Sequence, residues 1–192
     1  VDLFTDAAKF HGTTLEDGIA LRPHEAFEPA LRSLTGPVRV DRATMPVAVC
    51  DILSEAGVAV VPMQDPCLAP KARKTAAELD GARAAHLRDG AAMAEFLCWL
   101  DVQTQKMLTD PTHVVTEIDI VRHLEACRAA TGSLRDISFD TIAGSGPNGA
   151  IVHYRVTEAT NRRLSLGDLM LVDSGGQYLD GTTDITRTIA IG

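Results

Sequence analysis

Asp173 and Asp184 stand eleven residues apart in Leu171-Val-Asp-Ser-Gly-Gly-Gln-Tyr-Leu-Asp-Gly-Thr-Thr-Asp-Ile-Thr-Arg-Thr188, a strand-turn-strand pattern. Hard carboxylate oxygens on one face of a hairpin can share divalent cations, so the pair offers half of a dinuclear metal site. Whether it does depends on register. If Asp180-Gly181 formed the centre of a tight turn, Asp173 would face Thr188 and Asp184 would face Gln177. Parity would put both carboxylates on one face, but roughly 13 Å apart at about 3.3 Å per residue. That is too far to share an ion. A turn one residue earlier makes them diagonal neighbours, roughly 7–8 Å apart. Gly175-Gly176 offers another adjustment, through a bulge or sharp twist. A metal role therefore predicts a shifted turn or a glycine bulge.

The bland alternative is solvated edge charge. Against it, Asp173 ends the apolar run Leu169-Met-Leu-Val172, where an unpaired carboxylate is costly to bury. Arg187 is the only basic residue nearby. Asp180 sits at the turn tip, as backbone chemistry favours, and takes no catalytic role. His153 ends Ala150-Ile-Val152 and precedes Asp173 by twenty residues, with one loop between them. A histidine on such a run is more often a satisfied core residue. Bordering the same cavity, a neutral imidazole can instead donate to a substrate carbonyl or shuttle a proton. The loop Gly144-Ser-Gly-Pro-Asn-Gly149 lacks the phosphate-loop pattern and does not open a helix. Ser145 lacks the spacing of a nucleophile elbow.

The elements that must hold these residues fall into two parts. Val1-Asp-Leu-Phe4 is a strand with no preceding turn, which suggests a cut N-terminus. Pro23 opens a predicted helix to about Leu34. Pro37 to Asp41 alternates as a strand. Thr44 is placed as the cap of a helix stopped by Gly57. Val58-Ala-Val-Val-Pro62 has the apolar character of a strand buried on both faces. This α/β stretch ends at the proline-rich Met63–Pro70, so residues 1–66 and 67–192 are expected to be separate domains.

A long helix is predicted from about Lys71 to Lys106, with Met93, Phe96, Leu97 and Leu100 on its core stripe. Thr116-Glu-Ile-Asp119 has the form of a capping box opening a helix that runs to Gly132. Ile137 to Ile142 follows as a strand. Asp168 to Gln177 and Thr182 to Ile191 form the hairpin itself.

The net charge of -8, with no basic stripe, argues against a nucleic-acid partner. No apolar run is long enough to span a membrane, and acidic Asp2 and Asp6 oppose a signal peptide. Cys50, Cys67, Cys98 and Cys127 are too widely spaced for a zinc site. Cys98 and Cys127 are expected to be buried free thiols, in a reduced, cytoplasmic setting.

Several of these motifs together resemble a known family. Ser138-Phe-Asp-Thr-Ile142, Gly146-Pro-Asn-Gly-Ala-Ile-Val-His-Tyr154, Thr160-Asn-Arg-Arg-Leu-Ser-Leu166 and the aspartate hairpin resemble the Xaa-Pro aminopeptidases among the pita-bread metallopeptidases. Asp65-Pro-Cys-Leu-Ala-Pro-Lys-Ala-Arg73 and Arg83-Ala-Ala-His-Leu-Arg-Asp-Gly-Ala91 resemble the domain junction and first catalytic helix of the cytosolic three-domain type. The resemblance implies a creatinase N-terminal-like α/β segment followed by the first half of an α+β pita-bread catalytic domain. It implies that Asp173 and Asp184 are the first two metal-ligating carboxylates, the second bridging two divalent ions, typically manganese. It gives His153 the position of the histidine near the scissile bond. The implied substrates are peptides with proline in second place, and homodimers are common in the family.

The resemblance also requires a metal-binding histidine and two glutamates after the hairpin. The sequence has neither residue type after Asp184. The chain is therefore expected to be a fragment, without peptidase activity alone. Two alternatives are a dipeptide-cleaving prolidase and a peptidase-like domain that binds proteins without catalysis. The retained aspartates argue against the latter, and equally against the metal-free creatinase-like hydrolases of the same fold.

Overall fold

The computed structural model describes residues 1–192, which form two compact units, Val1–Arg73 and Lys74–Gly192. The break follows the short helix Leu68–Ala72, somewhat later than the proline cluster that marks it in the sequence.

The first unit carries two small parallel pairs. Strands β1 (Asp2–Phe4) and β2 (Ala20–Arg22) form one pair, and β3 (Val38–Val40) and β4 (Val60–Pro62) the other. Parallel neighbours need a crossover, and between β3 and β4 it is the helix α2 (Val47–Glu55). Val40, Leu53 and Val58 form the buried centre. Helix α1 (Phe27–Arg32) is shorter than expected, because a 3₁₀ turn at His24–Ala26 occupies the residues after Pro23. Thr44 does not cap α2, since Pro46 stands at the cap position. A proline bars helical geometry to the residue before it, so no helix can begin earlier. Nor is β4 buried on both faces: Val61 is exposed, because no layer covers that face.

The second unit follows α3 (Leu68–Ala72) and begins with α4 (Ala76–Thr109) and α5 (Glu117–Ala130). Helix α4 starts later than Lys71, where Thr75 and Glu78 close a full capping box. It ends at Asp110, held extended by the following Pro111. The capping box at Thr116 and Asp119 is formed as expected. Met93, Phe96 and Leu100 are buried together with Ile120, Leu124 and Cys127 of α5, whereas Cys98 is exposed. Cys98 points off the stripe that α5 covers.

This helix pair packs on a three-stranded antiparallel sheet, in order β6 (Ile142–Ser145), β7 (Leu169–Ser174) and β9 (Ile185–Ala190). Alternation along β7 turns Met170, Val172 and Ser174 into the core and leaves Leu169, Leu171 and Asp173 on the opposite face. The expected strand at Ile137–Ile142 is broken in two. Its first part, β5 (Asp136–Ile137), leaves the sheet to pair with β8 (Gly176–Gln177). Ser138 secures the crossing, its Oγ donating to the Thr183 carbonyl.

Candidate metal centre

Register decides the geometry of the aspartate pair. Strands β7 and β9 align Asp173 with Thr186 and Ser174 with Ile185, and the ladder continues to a bridge between Gln177 and Thr182. Tyr178 donates its N–H to the Gly181 carbonyl at 2.9 Å, so Leu179-Asp180 are the central residues of the turn. The turn is thus one residue earlier than Asp180-Gly181. Pairing is unchanged on either side of Gly175, so no bulge contributes. What Gly175 provides is room, because a Cβ there would run into the Thr183 carbonyl and Ser138 Oγ. Asp184 consequently lies two positions along the ladder from the partner of Asp173, on the same face.

The surroundings suit hard oxygen ligands. Asp173 is half-buried and Asp184 exposed. Asp173 Oδ1 accepts a hydrogen bond from Thr186 Oγ1 at 2.9 Å, and neither aspartate has a basic partner. Arg187 spends its guanidinium on the Thr186 carbonyl instead. No three His, Cys, Asp or Glu side chains gather as a ligand set. The two carboxylates fit a share of a dinuclear site and no more.

The loop bearing His153 begins on this same face. Gly144 pairs with Leu171 and so points with Leu171 and Asp173. A Cβ on Gly144 would stand 2.8 Å from the backbone of Asn148 and Gly149. The 3₁₀ turn Gly146–Ala150 therefore lies over Gly144 and Leu171, on the face of the sheet that also carries Asp173. The chain then bends rather than extending: Ile151 and Val152 are 54% and 82% exposed, not a buried run. His153 itself is exposed and is the one non-glycine residue with positive φ, at 55°. It is not a core histidine. Such a conformation persists where neighbours impose it, and often marks functional loops.

Residues invisible to motif reading hold this arrangement. Glu117 is fully buried, and its carboxylate accepts from Ser145 N at 2.7 Å, Asn148 Nδ2 at 3.0 Å, Tyr154 OH at 2.9 Å and Arg162 N at 3.1 Å. In the sequence it is only an acidic residue in a helix's first turn, as the helix dipole favours. Behind the hairpin, buried Arg128 pairs with buried Asp89 at 2.7 Å, and Tyr178 OH donates to the same carboxylate at 2.7 Å. At the tip, Asp180 pairs with Arg88, whose guanidinium holds that carboxyl below the usual range. Gly81 of α4 admits the Asp180 carbonyl, which a Cβ would block.

The chain is 37% identical to a probable Xaa-Pro aminopeptidase P from Laccaria bicolor, over 98% of the chain and 30% of that protein. It is 46% identical to aminopeptidase P2 from Arabidopsis thaliana over 66% of the chain. An X-prolyl aminopeptidase from Caenorhabditis elegans, described as a cytosolic enzyme with a di-nuclear active site, superposes with a TM-score of 0.80 at 28% identity. That match covers 99% of this chain and 32% of the worm enzyme. A more distant X-Pro aminopeptidase from Thermotoga maritima shares the fold, with a TM-score of 0.69. The chain thus spans about a third of the curated relatives it matches over its whole length, and it has the expected α/β segment and partial pita-bread architecture. The model of metallopeptidase family M24 matches residues 80–192, the unit that carries the aspartate hairpin, and the chain belongs to that family.

Proposed function

We propose that this chain is the part of a metal-dependent Xaa-Pro aminopeptidase that supplies two metal-binding carboxylates, Asp173 and Asp184, and a substrate-side histidine, His153. The observation that carries the proposal is the hairpin register, which sets both aspartates on one face beneath the loop that leads to His153. A pair of divalent ions, manganese being suited to hard oxygen ligands, supplies Lewis acidity toward the peptide carbonyl when bound. Asp173 and Asp184 hold the negative charge that such ions need. Thr186 orients Asp173 by its hydrogen bond. His153, on an exposed turn, is free to meet the peptide bond before proline and to donate or relay a proton there.

The names of the relatives favour the aminopeptidase over the dipeptidase. A cytoplasmic site of action is supported by the cytosolic worm relative and by four unpaired cysteines. The test is hydrolysis of an Xaa-Pro-Xaa peptide by the complete protein supplied with manganese. Release of the first residue, lost in Asp184→Ala, is expected. Undiminished turnover in that variant would refute the assignment.

A further inference from the structure

Glu117 is a fully buried carboxylate with no cationic partner; every group that hydrogen-bonds to it is neutral. Burying a carboxyl group demands that its oxygens be hydrogen-bonded, and a helix start does not require so many partners. Three of its four donors lie on one stretch, from Ser145 to Tyr154. Ser145 ends β6, Asn148 is the middle of the 3₁₀ turn, and Tyr154 directly follows His153. Asn148 Nδ2 also reaches the Tyr154 hydroxyl at 3.0 Å, closing the loop on itself around the carboxylate. The fourth donor, Arg162 N, ties in the segment that returns from the loop.

We propose that Glu117 is the positioning residue for His153, fixing both flanks of the loop from Ser145 to Tyr154 over the face that carries Asp173 and Asp184. Left-handed backbone at His153 is held by these anchors, since a histidine released from them relaxes to negative φ. Glu117 acts through the loop and touches none of the three site residues. Its effect on turnover rests on the peptidase reading of His153; its control of the loop does not.

The experiment uses the complete protein, with the variants Glu117→Gln, Tyr154→Phe and His153→Ala. In Glu117→Gln, amide hydrogen exchange across residues 145–156 should quicken about tenfold or more, while α4 and the second half of α5 stay protected. Tyr154→Phe, which leaves three donors in place, should give a smaller change in the same peptides. It serves as the readout if Glu117→Gln fails to fold. In turnover, Glu117→Gln should lower kcat on the order of 10- to 100-fold, yet have little further effect in a His153→Ala background. Equal losses in both backgrounds, or unchanged exchange at 145–156, would overturn the proposal. A wild-type protein inactive on Xaa-Pro peptides would sink the peptidase reading alone, and the exchange data would still decide the role of Glu117.

Discussion

Gly144 shows how much of this site rests on one missing atom. The turn over the carboxylate face approaches its Cα so closely that a methyl group would press on the Asn148–Gly149 backbone. Backbone atoms cannot rotate away as a side chain would. Gly144→Ala should therefore destabilise the domain by about 1–3 kcal/mol, as overpacking does. It should also displace the His153 loop, lowering kcat/KM on the order of 100-fold. Denaturant titration and peptide kinetics on the complete protein check the two effects separately. At this scale the residues proposed to carry the chemistry, Asp173, Asp184 and His153, stand out in the sequence by type and spacing. Their supports do not. Glu117 and Asp89 carry no signature that separates a buried carboxylate from an exposed one, because burial comes from segments distant in sequence.

Among elements, the hairpin is located by its contacts with α4 and α5. Tyr178 plugs into the Asp89–Arg128 pair, and Asp180 clasps Arg88 beside Gly81. Burial pushes the Asp89 carboxyl up, but the Arg128 and Tyr178 hydrogen bonds outweigh it and hold the group below its ordinary value. A carboxylate depressed on folding adds stability that is present above its unfolded value near about 4, and that is lost as pH falls through the folded value. Asp89→Ala should cost about 3–5 kcal/mol, since Arg128 is left buried and uncompensated. Asp89→Asn should flatten the fall in stability below about pH 4. Urea midpoints measured from pH 7 down to pH 3 test both. The sequence predicted α5 well, where the cap at Thr116 was read, and α4 and α2 less well, where the cap at Thr75 was passed over and Pro46 moved a start. It offered two registers for the hairpin. One contact that the observed register makes, the fit of the Leu179-Asp180 turn against Gly81, joins residues about a hundred positions apart and leaves no local trace.

For the molecule, exposed apolar side chains on and around the β6-β7-β9 sheet are the main consequence: Leu169 lies on β7, Leu166 in the loop before it and Leu179 at the hairpin tip. Leu169, Leu166 and Leu179 are 59%, 46% and 87% exposed. Apolar groups left this open favour association. A polypeptide of residues 1–192 should therefore self-associate in a sedimentation experiment, and on the metal reading proposed above its two aspartates alone should not support hydrolysis of Xaa-Pro peptides. A compact, stable monomer would contradict the first expectation, and metal-dependent turnover the second.

Asp173 and Asp184 are proposed to share divalent ions, and metal content tests this most directly. Elemental analysis of the complete protein, loaded with manganese and desalted, should give about two ions per chain. Asp184→Ala should fall well below that, with its fold intact by circular dichroism. Equal metal in wild type and in both Asp173→Ala and Asp184→Ala would contradict it.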